Sequence, residues 1–222
     1  GLVAFPTETV YGLGGNALDP EASEKIYAAK GRPSDKPLIV HIARWEDLET
    51  IASDIPEAAV ILGKKCWPGP LTMIFRKKDI VPKETTGGLD TVAVRFPSHK
   101  TARELIIASG GFVAAPSANL SGRPSTTKAA HVIEDLGDRI DMIIDSGSSE
   151  IGLESTIVDL TSGTPVILRP GYYSEADIIK LLGQVEVDKA LISADSSIRP
   201  KAPGMKYRHY APKGELTIVE GE

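Results

Sequence analysis

Short apolar runs of strand length alternate with helical stretches along most of the chain, and this alternation most constrains the fold. Asp19 and Pro20 form an N-cap followed by proline at the first helical position, and Gly31 can end that helix. Such alternation is typical of an α/β domain, and the hairpin-like connection 161–165 indicates a mixed, twisted sheet. The predicted strands are 2–5, 37–42, 71–75, 91–96, 112–115, 142–145, 156–160 and 166–168, and the predicted helices are 20–30, 45–53, 56–66, 100–109, 127–136 and 175–182.

Composition excludes several classes of protein. A chain of 222 residues with 41% hydrophobic residues can build a core, so intrinsic disorder is excluded. No run of 18 apolar residues exists, so no membrane contact is expected. A net charge of −5 argues against a general polyanion binder, and nucleic-acid contact would need a local basic patch. The single cysteine, Cys66, favours a reducing, cytoplasmic location and reads as structural.

The common catalytic and metal motifs are absent from the sequence. There is no Walker-A motif, no HExxH, no CxxC and no GxSxG, and the four histidines are too scattered to predict a protein-built metal site. Residues 12–17 satisfy GxGxxA, but six residues separate them from the preceding strand. We therefore interpret these glycines as permitting tight turns.

Polar and cationic residues stand at the ends of several predicted strands. Such strand ends meet in crevices of α/β sheets, where ligands bind. Hydroxyls and cations gathered on one rim favour a pocket for phosphate or carboxylate, although an ordinary polar sheet edge explains them equally well. The residues concerned are Thr7, Thr9, Arg32, Lys36, His41, Arg95, Ser117, Asn119, Ser121, Ser155 and Arg169.

Six motifs in order resemble those of the YrdC/Sua5 family, the threonylcarbamoyl-AMP synthases. They are FPTETVYGLG at 5–14, KGRPSDKPL at 30–38, WPGPLT at 67–72, VAVRFP at 92–97, APSANLSG at 115–122 and ESTIVD at 154–159. The segment PGMKYRHYAP at 203–212 is similar to the linker motif of the longer Sua5 branch. The resemblance covers nearly the whole chain.

The resemblance implies a nucleotidyltransferase that makes threonylcarbamoyl-AMP and pyrophosphate from ATP, L-threonine and bicarbonate. The product would feed the t6A modification of tRNA through a downstream threonylcarbamoyl-transferase, and direct contact with tRNA is left open. The family's fold is an open twisted sheet curved around a deep cavity. We expect a catalytic domain at 1–192, a linker that acts as an active-site lid at 193–213, and the start of a truncated C-terminal domain at 214–222.

The resemblance also implies roles for individual residues. Mg²⁺ is expected on the ATP phosphates, with ATP and water as its main ligands. No catalytic side chain is predicted, because transfer of an adenylyl group depends mainly on positioning and charge neutralisation. Lys206 and His209 are alternatives to Tyr207 as the lid's ATP contact. The expected L-threonine contacts are Thr9, His41, Arg95, Ala115 and Ser155, and the expected ATP contacts are Arg32, Lys36, Thr91, Ser117, Ser125, Arg169 and Tyr207.

Two other functions remain open at this stage. The carbamoyl-adenylate-forming module of hydrogenase maturation factors resembles this fold, but it works within a larger chain and uses carbamoyl phosphate. An RNA-binding module is the second alternative, and the acidic net charge weakens it.

Overall fold

Ten strands form one open sheet in the computed structural model, which describes residues 1–188. The predicted lid at 193–213, its Tyr207 and the predicted boundary at 214 lie outside the described residues. The strands are β1 (Val3–Phe5), β2 (Gly12–Asn16), β3 (Ile39–His41), β4 (Leu71–Arg76), β5 (Thr91–Arg95), β6 (Val113–Ala115), β7 (Met142–Ile143), β8 (Thr156–Asp159), β9 (Val166–Arg169) and β10 (Glu186–Val187).

The sheet mixes parallel and antiparallel pairs, as the sequence predicted. Its strand order is β10-β9-β8-β4-β5-β3-β6-β2-β1-β7. The connection 161–165 joins β8 and β9 as an antiparallel pair, which confirms the predicted hairpin. By contrast, β3 and β5 run parallel at the centre, so their carboxyl ends meet at one edge of the sheet.

Six helices accompany the sheet within residues 1–188. The first confirms its predicted caps, because the Asp19 side chain accepts a hydrogen bond from the Glu21 amide and Gly31 is left-handed at φ 60°. None of these helices is long and apolar enough to cross a membrane. The helices are α1 (Pro20–Lys30), α2 (Leu48–Ile51), α3 (Glu57–Cys66), α4 (Lys100–Ala108), α5 (Ala129–Leu136) and α6 (Glu175–Leu182).

The helix predicted over 45–53 is shorter and irregular. A 3₁₀ turn at Trp45–Asp47 leads into α2, which ends at Ile51. Ala52 is extended and forms a bridge to Lys77, so contact with the sheet ends the helix early.

Alternation along β5 places its side chains in two different packed layers. Val92 and Val94 belong to the main core cluster, whereas Ala93 packs with Ile74 and Leu168 on the other face. Apolar contacts on both faces therefore hold the central strands, and they fix where the polar strand ends emerge.

The glycines at 12–15 form a strand, so the prediction that they serve tight turns is wrong. Strand β2 pairs with β1 on one side and with β6 on the other. A Cβ at Gly14 would lie 2.8 Å from Val113 Cγ1 and 2.9 Å from Phe5 Cε1. Glycine is therefore needed for the close approach of neighbouring side chains rather than for a turn.

We expect Gly14→Ala to lower the free energy of unfolding by about 1–3 kcal/mol, because the added methyl group overpacks the site. The matched control is Gly163→Ala, since a Cβ there meets nothing within 4 Å. Urea unfolding of both variants measures the difference. Equal midpoints would contradict the packing role of Gly14.

Candidate active site

The parallel register of β3 and β5 brings two predicted site residues side by side. His41 and Arg95 are direct partners at the carboxyl ends of these strands. Ala115, at the end of β6, pairs with Ile39 on the other side of β3. All three line one cavity, which also receives the loop between β1 and β2 and the loop after β6.

Arg95 is almost completely buried and is held by two residues of the β1–β2 loop. Only 4% of Arg95 and 3% of Glu8 are exposed. Nη2 of Arg95 donates to Glu8 Oε1 at 2.6 Å, and Nη1 donates to Thr9 Oγ1 at 2.8 Å. A buried guanidinium requires such partners, because an unpaired charge in the interior is costly.

The hydroxyl protons of the β1–β2 loop have a defined direction. Thr7 Oγ1 donates its only proton to the Val10 carbonyl at 2.6 Å. Thr9, whose Oγ1 lies 3.0 Å from Thr7 Oγ1, must therefore be the donor of that pair. Because the Thr9 hydroxyl donates its hydrogen bond to Thr7, its oxygen can only accept a hydrogen bond from a ligand in the cavity. It therefore suits a ligand ammonium or hydroxyl group.

His41 is a neutral side chain in this cavity. Burial, together with the nearby Arg95 charge, lowers the pKa of His41 to about 3. Its Nδ1 lies 3.1 Å from the Ile39 carbonyl oxygen, and the backbone of Val113 also interacts with the ring. Arg95 is therefore the cation at this end of the cavity.

Ser155 and Arg169 both line the cavity and are hydrogen-bonded to each other. Nη2 of Arg169 donates to the Ser155 carbonyl oxygen at 2.8 Å and lies 3.1 Å from Ser155 Oγ. Ser155 Oγ also lies 2.7 Å from Thr72 Oγ1 on β4. Ser155 was predicted to contact threonine and Arg169 the nucleotide, so the boundary between the two predicted groups lies at this contact.

A second group of cations surrounds the end of α1. Lys30 is buried, and its Nζ donates to the carbonyl oxygens of Ser117 and Asn119, the first at 2.5 Å. Burial and the neighbouring Arg32 hold the pKa of Lys30 well below its ordinary value. Burial and Arg32 also lower the pKa of Lys36. Lys30 thus braces the loop after β6, and Arg32 lines the cavity.

The cavity lining is strongly cationic. Glu154 is the carboxylate among the lining residues that the structure describes, and it accepts a hydrogen bond from Ser125. Arg123, another lining residue, pairs with Asp135 behind it. Such a lining suits anionic groups such as carboxylate and phosphate. The lining contains the guanidinium groups of Arg32, Arg95, Arg123 and Arg169 and the amino group of Lys30.

Most of the predicted site residues meet in this one cavity. Lys36 is outside the cavity lining, but it is close enough to Arg32 for the Arg32 charge to contribute, after burial, to lowering the pKa of Lys36. Thr91 is not brought to the cavity, because it stands at the opposite end of β5, about 13 Å along the strand from Arg95. Its ATP contact and that of Tyr207 stay predictions. The residues that line the cavity are Thr9, Arg32, His41, Arg95, Ala115, Ser117, Ser125, Ser155 and Arg169.

The predicted set omits two charged residues that organise the site. Glu8 and Lys30 are both buried and bonded to site residues. Both stand inside the motifs at 5–14 and 30–38, but their partners are 87 and 89 residues away. The one sequence signal of their burial is that each is a charged residue within an otherwise apolar or hydroxyl-rich stretch.

Two family models together match almost the entire chain. The Sua5/YciO/YrdC model, described as telomere recombination, matches residues 1–171. A second model, described as the C-terminal domain of threonylcarbamoyl-AMP synthase, matches residues 174–222.

Several proteins named threonylcarbamoyl-AMP synthase are similar to this chain. The one from Pyrococcus abyssi is 55% identical over 222 residues, which are 99% of this chain and 64% of that protein. The one from Bacillus subtilis is 52% identical over 99% of this chain and 63% of its own length. The crystal structure of P. abyssi Sua5 complexed with L-threonine matches with a TM-score of 0.93 and 56% identity, over 96% of this chain and 63% of that chain. This chain thus spans less than two thirds of these relatives.

His41 should make the protein more sensitive to acid. Its pKa is about 3 in the folded protein against 6.5 ordinarily, so the unfolded chain takes up the proton first. The contribution of neutral His41 to the free energy of unfolding is complete above pH 6.5 and is lost as the pH falls toward about 3. In His41→Asn, the free energy of unfolding should fall less steeply between pH 6.5 and 4, by up to about 1.4 kcal/mol per pH unit.

Urea unfolding at several pH values measures this slope. The control is His131→Asn, which changes an exposed histidine on α5 and should keep the wild-type slope. Identical slopes for His41→Asn and the wild type would refute the account of His41.

Proposed function

Because this chain belongs to the Sua5/YciO/YrdC family, we propose that it is the catalytic part of an L-threonylcarbamoyladenylate synthase. It would convert ATP, L-threonine and bicarbonate to threonylcarbamoyl-AMP and pyrophosphate, in the cytoplasm, for the t6A modification of tRNA. A downstream threonylcarbamoyl-transferase would take up the adenylate. The observation that carries the proposal is one cavity that joins a buried arginine suited to an amino acid with further cations suited to phosphates.

The amino acid would bind at the end formed by Arg95, Thr9 and His41. A guanidinium binds a carboxylate through two parallel N–H donors. The free acceptor of Thr9 faces the same space and would accept from the ammonium or hydroxyl group of threonine. Neutral His41 adds no second positive charge there, so the threonine carboxylate has one cationic partner.

The triphosphate would bind among the cations beyond Ser155. Arg32 and Arg169 supply charge, and Ser117 and Ser125 supply hydroxyl groups. Within residues 1–188, no group of three or more histidine, cysteine, aspartate or glutamate side chains lies close enough to hold a metal ion. The Mg²⁺ that accompanies ATP would therefore be held mainly by phosphate oxygens and water.

This arrangement suits a reaction that needs positioning more than a nucleophilic side chain. The threonine amine and bicarbonate condense to a carbamate with loss of water. A carbamate oxygen then attacks the α-phosphorus of ATP in line, the bond to the β-phosphate oxygen breaks, and pyrophosphate leaves. Arg32 and Arg169 would neutralise the charge that develops on the phosphates.

Pyrophosphate release tests the proposal directly. We expect release only when ATP, bicarbonate and L-threonine are all present. L-Valine is the matched control, because it has nearly the shape of threonine and lacks its hydroxyl group. Release that proceeds equally well without threonine, or that uses carbamoyl phosphate in place of bicarbonate and threonine, would favour the hydrogenase-type alternative and overturn the proposal.

Two arginine variants should separate the substrates. Arg32→Ala should raise the KM for ATP about tenfold and leave the KM for threonine unchanged, because Arg32 lines the cavity as an expected phosphate contact and is not among the expected threonine contacts. Arg169→Ala should raise both values, since Arg169 also fixes Ser155 through its carbonyl oxygen.

Steady-state kinetics of pyrophosphate release measures both constants. Lys25→Ala, which removes an exposed cation on α1, serves as the control and should change neither. An Arg169→Ala enzyme with altered KM for ATP alone would show that Ser155 is not part of the threonine site.

A further inference from the structure

The buried pair of Glu8 and Arg95 is incomplete in one specific respect. Glu8 Oε2 and Arg95 Nε are both buried, and neither has a hydrogen-bond partner among the described residues. Nearly all buried polar atoms in proteins are hydrogen-bonded, and an orphaned member of a charged group is costly. Both orphans belong to the same ion pair, in which only Nη2 and Oε1 are joined, at 2.6 Å.

The Arg95 guanidinium has five N–H groups, and they form two edges that can each bind a carboxylate. Nε–H and one N–H of Nη2 point from the same edge of the guanidinium, which fits the two oxygens of a carboxylate side-on. Oε1 of Glu8 accepts from Nη2, an atom that belongs to this side edge, and Thr9 accepts from Nη1. Nη1 and Nη2 together form the end edge, the second edge that can bind a carboxylate.

We propose that Glu8 is a positioning residue for recognition of the amino-acid carboxylate, an inference that rests on the proposed function. When the substrate carboxylate binds the end edge of Arg95, a small rotation brings Nε–H onto Glu8 Oε2. All five N–H groups are then used: two by Glu8, one by Thr9 and two by the substrate. Substrate binding thereby satisfies both orphaned atoms, and Glu8 contributes to threonine affinity without touching threonine.

The position of Glu8 supports this role. Its main-chain carbonyl oxygen accepts from the Ile151 amide at 2.9 Å, and that of Thr9 accepts from the Gly152 amide at 2.9 Å. These two hydrogen bonds thus fix the backbone of the β1–β2 loop, which carries Glu8. Glu8 itself is outside the cavity lining, so it acts through Arg95 rather than on the substrate.

Calorimetric titration of the 222-residue chain with L-threonine and, separately, with ATP tests the inference. Glu8→Gln keeps the shape but places an amide donor or a neutral oxygen where the side-on pair needs two acceptors. We expect its Kd for L-threonine to rise about tenfold or more, while its Kd for ATP stays within about twofold. The control, Glu24→Gln, changes an exposed glutamate on α1 and should alter neither value.

A double-mutant cycle separates positioning from a general structural role. Lysine has no side edge through which Glu8 could act, so in an Arg95→Lys background Glu8→Gln should weaken threonine binding little further. Losses that simply add in the double variant would overturn the inference, as would wild-type threonine affinity in Glu8→Gln. A wild-type chain that binds no L-threonine would overturn both the inference and the proposed function.

The wild-type protein offers a second measurement that needs no folded Glu8 variant. The Arg95 Nε–H signal in a ¹H–¹⁵N NMR spectrum, assigned with Arg95→Lys, should move downfield and exchange more slowly with water when L-threonine is added. An Nε–H signal that stays unchanged at saturating threonine would contradict the closing of the side-on pair.

Discussion

A guanidinium buried beneath the end of the central strands is the constraint on which the rest of the site depends. Arg95 is only 4% exposed, so its charge and its N–H groups must be matched by the protein. Glu8 and Thr9 meet that need and thereby fix the β1–β2 loop against β5. The Thr7 hydroxyl then accepts a hydrogen bond from the Thr9 hydroxyl. Thr9 Oγ1 is therefore left as a hydrogen-bond acceptor that faces the cavity.

The Glu8–Arg95 pair also explains how one cavity could bind an amino acid and a phosphate at different places. Glu8 neutralises Arg95 locally, so this end of the cavity should suit a zwitterionic amino acid better than a phosphate. Arg32 and Arg169, which also line the cavity, are the cations expected to contact the phosphates, and Glu154 is the carboxylate among the described lining residues. A chain with a net charge of −5 can therefore still present a local anion site.

Sequence reasoning predicted eight of the ten described strands, all but β2 and β10, and the clustering of most site residues, because apolar runs place their polar ends at one sheet edge. It missed β2, since a glycine-rich run has no β-branched residues to indicate a strand, and β2 is recognised only by its pairing with β1 and β6. It also missed Glu8, whose burial is understood only from an arginine 87 residues away. Thr91 was included by resemblance alone, and the structure places it at the far end of β5.

A crystal structure of this chain with L-threonine and a non-hydrolysable ATP analogue would locate both substrates relative to Arg95. The threonine carboxylate should lie on the Nη1–Nη2 edge of Arg95, both oxygens of Glu8 on its Nε–Nη2 edge, and the phosphates near Arg32 and Arg169. An amino acid bound away from Arg95, or phosphates that occupy the Arg95 end of the cavity, would contradict this arrangement.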